Sequence, residues 1–140
     1  VESKNLPRPC CQVLIYPATD NSMTTTSMKS FTDTPLWNAK NNQRMWKMYL
    51  KNATAQQEQI AVPMKNPLPE VLPPTYIETA EFDCLHDEAI LYAEKIKNRT
   101  AELQINETKG TFHGYDMLSS HPISKDSVEK RIAFMKKWMD

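Results

Sequence analysis

An aspartate and a histidine in this chain are placed as partners in acid–base chemistry. Asp83 follows a predicted strand, and His113 follows the next predicted strand, 30 residues later along the chain. The only two glycines of the chain, Gly110 and Gly114, lie on either side of the histidine. Side chains that follow the strands of a parallel sheet meet at its carboxyl edge, where catalytic groups gather. A histidine oriented by a carboxylate can take the proton of a nucleophile, so this pair predicts nucleophilic catalysis.

The nucleophile that such a pair would serve is not evident in the sequence. A serine on a strand-to-helix elbow is typically flanked by two glycines in the pattern Gly-x-Ser-x-Gly. Both glycines of this chain already lie beside His113, and no serine of the chain has an elbow context. The sequence therefore contains the acid and the base of such a site without a recognisable nucleophile.

Other titratable residues near the pair have structural interpretations. Asp87 is a second candidate for the acid, but its position at the start of a predicted helix favours capping of that helix. Glu81 and Glu88 are interpreted as structural, and His86 as a surface residue. A metal site would have to use these three residues: His113, Asp116 and His121. Their spacing fits no common metal site, so neither a metal nor another cofactor is expected.

The composition argues against several classes of partner. The 17 basic and 17 acidic residues give a formal net charge of zero, which favours neither nucleic acid nor an anionic membrane as a partner. No apolar run approaches the ~20 residues of a membrane-spanning helix. The three cysteines are Cys10, Cys11 and Cys84. An odd number without a C-x-x-C pattern is a poor disulfide framework, so we expect reduced thiols and a cytoplasmic protein.

Three strands and one helix are predicted to position the pair. Residues 11–16 form a short apolar run before Pro17, which predicts a strand buried on both faces of a parallel sheet. Residues 75–79 predict a second strand, and the alternating residues 103–107 predict an edge or near-edge strand. A helix over 86–98 carries its apolar residues on one stripe and joins these two strands. Together they predict a right-handed βαβ unit.

The connection between the first two strands is too long for a simple crossover. It uses more than 50 residues, whereas a crossover needs only about a dozen. Residues 18–72 therefore predict a lid-like insertion over the sheet's carboxyl edge. Its clearest helix would be capped by Asp33 or Thr34, with Pro35 at the first position. Its methionine and aromatic residues are expected to pack in a core, with a pocket lining as the alternative.

A final amphipathic helix is predicted to begin near Ser124 or Asp126. Its buried stripe is predicted to consist of four apolar residues: Val128, Ile132, Met135 and Met139. Its basic residues are predicted to lie on solvated faces: Lys130, Arg131, Lys136 and Lys137. This charge cluster is interpreted as a solvated face and not as a binding patch.

Taken together, the motifs resemble the hormone-sensitive-lipase-like branch of the α/β-hydrolases, which are carboxylesterases and lipases. The strand-end pattern of that branch matches residues 14–17, Leu-Ile-Tyr-Pro, and its acid motif matches residues 72–88. The resemblance implies that Asp83 is the catalytic acid and that His113, in His-Gly-Tyr, is the base. Cys84 stands where the branch usually has proline, and His86 where it usually has arginine. The resemblance covers residues 7–139.

This resemblance implies an α/β fold that forms the C-terminal portion of an α/β-hydrolase. We expect about three parallel strands with flanking helices and a partial helical lid, with residues 1–140 as one fragment of the domain. The implied activity is hydrolysis of a small carboxylic ester by a Ser-Asp-His triad, without a cofactor. The serine and the oxyanion loop would come from the missing N-terminal half of the same enzyme. The substrate pocket is predicted to include Tyr16, Leu85 and Tyr115.

Two other functions stay open at this point. One is a non-catalytic interaction module that keeps hydrolase-like architecture, and the other is an unrelated small α/β binding domain in which Asp83 and His113 are structural. For the hydrolase interpretation, the first strand would have an exposed edge, which predicts a homo-oligomer or pairing with the missing half. The chain alone is expected to lack serine-dependent esterase activity.

Overall fold

A computed structural model describes residues 7–139 of the chain, so residues 1–6 and 140 of the predicted domain lie outside the described residues. Within that range lies a parallel sheet of three strands in the order β1-β2-β3. The strands are β1 (Gln12–Ile15), β2 (Thr75–Ala80) and β3 (Leu103–Thr108). In their register, Thr75 lies opposite Gln12 on one side and Leu103 on the other. The predicted class, α/β with parallel strands and flanking helices, is confirmed.

The central strand is fully buried, and its two neighbours are not. Every residue of β2 is buried, while β1 is only half-buried and its Ile15 is 37% exposed. β1 is therefore less buried, within residues 7–139, than the predicted strand with both faces covered. β3 is an edge strand, as predicted. Its buried side chains are polar, those of Asn106 and Thr108, whereas Ile105 is exposed.

The helix between β2 and β3 is α4 (His86–Ile96), which ends two residues earlier than predicted. Its buried face contains Ala89, Ala93 and Ile96, which pack with Ile77 of β2. Asp87 and Glu88 lie in the first turn of this helix, where negative charge is favourable next to the helix dipole. The strand–helix–strand unit is thus the one that the apolar periodicity predicted.

The insertion, residues 18–72, contains three short helices. They are α1 (Thr26–Ser30), α2 (Ala39–Tyr49) and α3 (Ala55–Ala61). The N-cap of α2 is Asn38, whose side chain accepts a hydrogen bond from the amide of Asn41. The predicted cap at Asp33 or Thr34 is wrong, because Leu36 has a φ of 63° and so interrupts any helix that begins at Pro35.

The two ends of the insertion are fastened to each other and to α4. The amide of Met64 donates to the carbonyl of Thr19 over 2.9 Å, which closes the neck of the insertion. The buried carboxylate of Glu88 accepts hydrogen bonds from the amides of Thr19, at 2.6 Å, and Asp20, at 3.1 Å. Lys95 Nζ donates to three carbonyls at the other end, those of Pro63, Met64 and Asn66. Glu88 and Lys95 of one helix therefore fasten both ends of the insertion.

The final helix, α5 (Pro122–Met139), packs on the sheet with a different face from the predicted one. Ser124, Ser127 and Phe134 are buried, whereas three of the four residues of the predicted stripe are exposed: Val128, Ile132 and Met139. The reason is that Arg131, predicted to be solvated, pairs with the buried Glu78 of β2 and turns its polar face inward. No helix between residues 7 and 139 is long and apolar enough to cross a membrane.

Candidate active site

The structure brings Asp83 and His113 into direct contact at the carboxyl edge of the sheet. The Nδ1 atom of His113 lies 2.7 Å from the Oδ2 atom of Asp83. The other carboxylate oxygen of Asp83 accepts a hydrogen bond from the amide of Leu85, at 3.0 Å. An ionised carboxylate can only accept, so a neutral His113 in this contact would carry its proton on Nδ1 and have the lone pair on Nε2. The pair is therefore arranged as an oriented base.

Two backbone turns hold the loop of His113 in place. Gly110 and Gly114 have φ angles of 68° and 75°, in the left-handed region that favours glycine. The amide of Gly110 donates to the carboxylate of Glu81 over 2.7 Å, which gives Glu81 a structural contact. The amide of Phe82 donates to the carbonyl of Thr111 over 2.8 Å. These bonds join the loop after β2 to the loop after β3, so the two side chains of the pair approach each other.

Two aromatic rings enclose the imidazole of His113. The ring centroid of Tyr16, at the end of β1, lies 4.9 Å from that of His113. The ring of Trp37, from the insertion, stacks on it with a centroid distance of 5.8 Å and an angle of 29°. The His113 side chain is 24% exposed, whereas that of Asp83 is 1% exposed. The base thus keeps an open side, and its carboxylate partner is shielded from water.

Within residues 7–139, no side chain forms a hydrogen bond with Nε2 of His113. The free lone pair therefore has no nucleophile beside it in the part of the chain that the structure describes. Cys84 follows the acid directly but is not a substitute. Burial, together with the negative charge of Asp83, raises the pKa of its thiol to about 12, and a thiol that is not ionised is a poor nucleophile.

The three predicted pocket residues have different positions. Tyr16 contacts His113, as described above. Leu85 is buried in a core cluster with Met28 and other apolar residues of the insertion, so it does not face an open pocket. The hydroxyl of Tyr115 points into the core and donates to Glu78 over 2.8 Å. Leu85 and Tyr115 therefore both pack in core clusters.

Trp37 is a site residue that the sequence patterns do not predict. A helix that begins at Pro35 would include Trp37, yet this residue lies before α2 and stacks on His113, far along the chain. A tryptophan within a long insertion over the carboxyl edge was the only signal available. The neighbouring Leu36 lies over Gly114, since a Cβ atom at that glycine would lie 3.1 Å from Leu36 Cδ1.

The other candidates considered from the sequence have contacts of their own. Asp87 accepts a hydrogen bond from the amide of Ser27 over 2.8 Å, so it caps α1 and not its own helix. His86 is half-buried and lies 2.9 Å from Asp87 and 3.2 Å from Glu107. Across residues 7–139, no group of three or more histidine, cysteine, aspartate or glutamate side chains is arranged to hold a metal ion.

Comparison with known proteins agrees with this geometry. A sequence model of the α/β hydrolase fold matches residues 1–117. Neutral cholesterol ester hydrolase 1 of Pongo abelii is 32% identical over 72 residues, which are 51% of this chain and 17% of that protein. Lipase 2 of a Moraxella species is 27% identical over 118 residues, 84% of this chain and 27% of that lipase.

Solved structures of esterases superpose on nearly the whole chain. A bacterial heroin esterase matches with a TM-score of 0.88 and 28% identity, over 99% of this chain and 45% of that one. Carboxyl esterase 2 of the fungus Tuber melanosporum matches with a TM-score of 0.83 and 25% identity, over 97% and 47% of the two chains. The chain thus spans less than half the length of each of these relatives, and the interpretation as an unrelated α/β domain is wrong. The chain belongs to the α/β-hydrolase fold family, as its resemblance to the hormone-sensitive-lipase-like branch predicted.

Proposed function

We propose that this chain supplies the acid and the base of a serine carboxylesterase or lipase. The observation that supports the proposal is the 2.7 Å contact between His113 Nδ1 and Asp83 Oδ2, with Nε2 free. The relatives are themselves named as ester hydrolases and lipases. In this proposal the substrate is a small carboxylic ester. The serine and the oxyanion donors come from an N-terminal half of the same enzyme.

The proposed chemistry follows from the state of the histidine. Nε2 of His113 takes the serine proton while the serine oxygen attacks the ester carbonyl. The imidazolium that forms is stabilised by the buried carboxylate of Asp83. The electrostatic attraction between the two is stronger because water is excluded from the carboxylate. The imidazolium then gives its proton to the leaving alcohol, and an acyl-enzyme remains. Water attacks that acyl group with His113 again as base, and the acid and the free serine are released.

The insertion has a proposed role as a lid. Leu36 and Trp37 reach from it to the loop that carries Gly114 and His113. A substrate that approaches Nε2 would therefore meet the indole of Trp37 on one side and the ring of Tyr16 on the other. We propose that these rings form part of the pocket wall and keep water away from the carbonyl under attack.

The free edge of β1 is the proposed place where the nucleophile half joins. In the described part of the chain, β1 pairs with β2 alone, and its Ile15 is exposed. An unpaired strand edge offers backbone donors and acceptors for another strand. In the isolated chain the same edge is expected to pair with a second copy. A clean monomer in light scattering at high protein concentration would contradict this expectation.

The proposed location of the protein is the cytoplasm. Cys10, Cys11 and Cys84 are all free thiols in the structure, and Cys84 is buried. Reduced thiols are typical of a cytosolic compartment. Fractionation of the native source that recovers the protein in an oxidising compartment would contradict this location.

A non-catalytic interaction module is the second candidate function. The observation in its favour is that nothing among residues 7–139 bonds to Nε2 of His113. The coding sequence upstream of Val1 separates the two candidates. A Gly-x-Ser-x-Gly elbow and a His-Gly-Gly loop encoded there would support the esterase, whereas a start codon at or near Val1 would support the module.

An activity assay tests the esterase proposal directly. The 140-residue chain alone is expected not to hydrolyse a short-chain nitrophenyl ester in a serine-dependent way, because the nucleophile and the oxyanion donors are supplied elsewhere. The longer enzyme is expected to hydrolyse it and to be inhibited by a serine-directed reagent. Turnover by the isolated chain that such a reagent abolishes would contradict the division of the triad between two halves.

A further inference from the structure

We infer that Tyr16 is a positioning residue, which fixes the imidazole of His113 in the orientation that proton transfer needs. A chain of three charged side chains, those of Asp116, Arg131 and Glu78, holds Tyr16 in turn. The inference rests on the proposed function, because the orientation of the ring matters only if His113 acts as a base. It concerns a different part of the site from the carboxylate of Asp83.

The ring of Tyr16 contacts the imidazole of His113 directly. The two ring centroids are 4.9 Å apart at an angle of 47°, so the phenol ring lies against the imidazole in a tilted contact. Tyr16 has a φ of 47°, a left-handed conformation that a bulky side chain adopts only when its surroundings impose it. Such strain is concentrated at functional sites. The hydrogen bond to Asp83 fixes one nitrogen of the imidazole, and Tyr16 restricts rotation of the ring plane about that bond.

The hydroxyl of Tyr16 is held by a carboxylate. It donates to Oδ1 of Asp116 over 3.2 Å. Burial, together with the neighbouring phenol of Tyr115 and the negative charge of Asp116, raises the pKa of Tyr16 well above its ordinary range, so the phenol stays a donor. The ring of Tyr115 meets that of Tyr16 edge to face at a centroid distance of 5.7 Å. The phenol ring is therefore held at its edge and at its hydroxyl.

Arg131 forms ion pairs with both Asp116 and Glu78. Arg131 of α5 donates to Oδ2 of Asp116 over 2.8 Å. The same guanidinium donates Nε–H to Oε2 of Glu78 over 3.1 Å and makes a second contact to Oε1, which is a forked arrangement. The Glu78 side chain is fully buried in β2. Although burial opposes it, the bonds from Arg131 and Tyr115 hold the pKa of Glu78 below its ordinary value.

The topology explains why this chain of contacts can act on the base. Asp116 lies in a short 3₁₀ turn, Tyr115–Met117, directly after the loop of His113. Arg131 therefore fastens the far end of that loop to the central strand, while Tyr16 reaches the base from β1. A merely structural ion-pair network would support α5 alone. This network also reaches the imidazole of His113 through Tyr16, so a change in the network should change the orientation of the base.

A double-mutant cycle in the longer enzyme tests the coupling. Tyr16→Phe removes the hydroxyl, and Asp116→Ala removes its acceptor. We expect each to lower kcat about tenfold with KM unchanged, because the base is misoriented while the substrate contacts remain. The double variant is expected to lose no more than either single variant, since both break one connection. The inference would be overturned if the losses in kcat of the two single variants multiplied in the double variant. It would also be overturned if kcat were unchanged in both single variants.

Matched controls separate positioning from stability. Tyr92→Phe removes a hydroxyl from α4, and Asp126→Ala removes an exposed carboxylate from α5 that pairs with Lys130 over 2.7 Å. Neither residue contacts His113, so both control variants are expected to keep kcat. If the controls lose as much kcat as Tyr16→Phe and Asp116→Ala, the effect is general destabilisation and the inference is wrong.

A second readout does not need activity. The chemical shift of the His113 Hε1 proton, measured by NMR in the 140-residue chain, depends on the ring current of Tyr16. We expect Tyr16→Phe and Asp116→Ala to move this resonance and the double variant to move it no further. A resonance that stays in place in both single variants would overturn the inference. A longer enzyme without esterase activity would contradict the proposed function alone, because this measurement reports the orientation of the ring directly.

Discussion

Nδ1 of His113 lies 2.7 Å from Oδ2 of Asp83, although 30 residues and the helix α4 separate the two along the chain. The contact arises because β2 and β3 are parallel neighbours, so the loops that follow them emerge at the same edge of the sheet. It gives the imidazole a fixed tautomer and leaves the opposite nitrogen free.

Removal of the cation in the core should destabilise the protein strongly. In Arg131→Met, the fully buried carboxylate of Glu78 loses its ionic partner, and an uncompensated buried charge costs about 3–5 kcal/mol of unfolding free energy. Urea denaturation of the purified chain measures this cost. The matched control is Lys136→Met, which removes an exposed cation from the same helix and should change stability by less than about 0.5 kcal/mol. Equal effects of the two substitutions would show that the pair with Glu78 contributes nothing specific.

The carboxyl group of Glu88 should make stability depend on pH. Burial raises its pKa from 4.5 to about 7, although the amides of Thr19 and Asp20 oppose the shift. The folded state therefore binds the proton more tightly than the unfolded state. The resulting stabilisation is present below pH 4.5 and is lost as the pH rises through about 7. At about 1.4 kcal/mol per pH unit, it is on the order of 3 kcal/mol.

Glu88→Gln isolates this contribution. The amide oxygen of glutamine can accept the same two backbone hydrogen bonds but does not titrate. We expect the variant to be more stable than the parent at pH 8 and to show a weaker fall in melting temperature between pH 5 and pH 8. Parallel melting curves for variant and parent across this range would contradict the raised pKa.

The two glycines beside the base should differ in their effect on catalysis. Both have a positive φ, so alanine at either position costs about 1–2 kcal/mol of stability. A Cβ atom at Gly110 meets nothing within 4 Å, whereas one at Gly114 lies 3.1 Å from Leu36 of the insertion. Gly114→Ala should therefore also reduce the proposed esterase activity of the longer enzyme, because it displaces Leu36 of the insertion next to His113. Equal activity of the two variants at matched stability would contradict a contact between the insertion and the base.

Cys84 should be the unreactive thiol of the folded protein. Its side chain is fully buried, and its pKa is raised to about 12 by burial. At pH 8 only about one thiol in ten thousand would be ionised, and the thiolate is the reactive form. A thiol reagent should label the exposed Cys10 rapidly and Cys84 only in denaturant, as peptide mapping would show. Fast labelling of Cys84 in the native protein would contradict the tight packing beneath the pair.

The apolar patterns predicted the strands and the helix that carry the pair. They did not predict which face of α5 packs inward, because that face is set by buried charges. The strand before Asp83 and the helix α4 follow from local periodicity, so their positions and the meeting of Asp83 with His113 could be predicted. The inward face of α5 could not. Arg131 is 53 residues from Glu78 along the chain, and nothing local signals that the two pair. Periodicity identifies apolar stripes, whereas the partner of a buried ion is chosen by tertiary geometry.

The insertion shows the same limit at the site. Trp37 stacks on His113 only because the chain turns sharply at Leu36, whose left-handed φ no sequence rule assigns to leucine. The helix α2 therefore begins later than predicted, and its preceding segment is free to reach the base. A prediction from local sequence places Trp37 in a helix, while the structure places it in the site.

Substitution of the base in the longer enzyme tests the central claim most directly. We predict that His113→Gln lowers kcat for a short-chain nitrophenyl ester by at least about 10³-fold, because His113 takes the serine proton in the proposed mechanism. His121→Gln, which changes an exposed histidine a few residues further on, should keep full activity. If His113→Gln retains activity close to that of His121→Gln, then the pair of Asp83 and His113 is not the acid and base of an esterase.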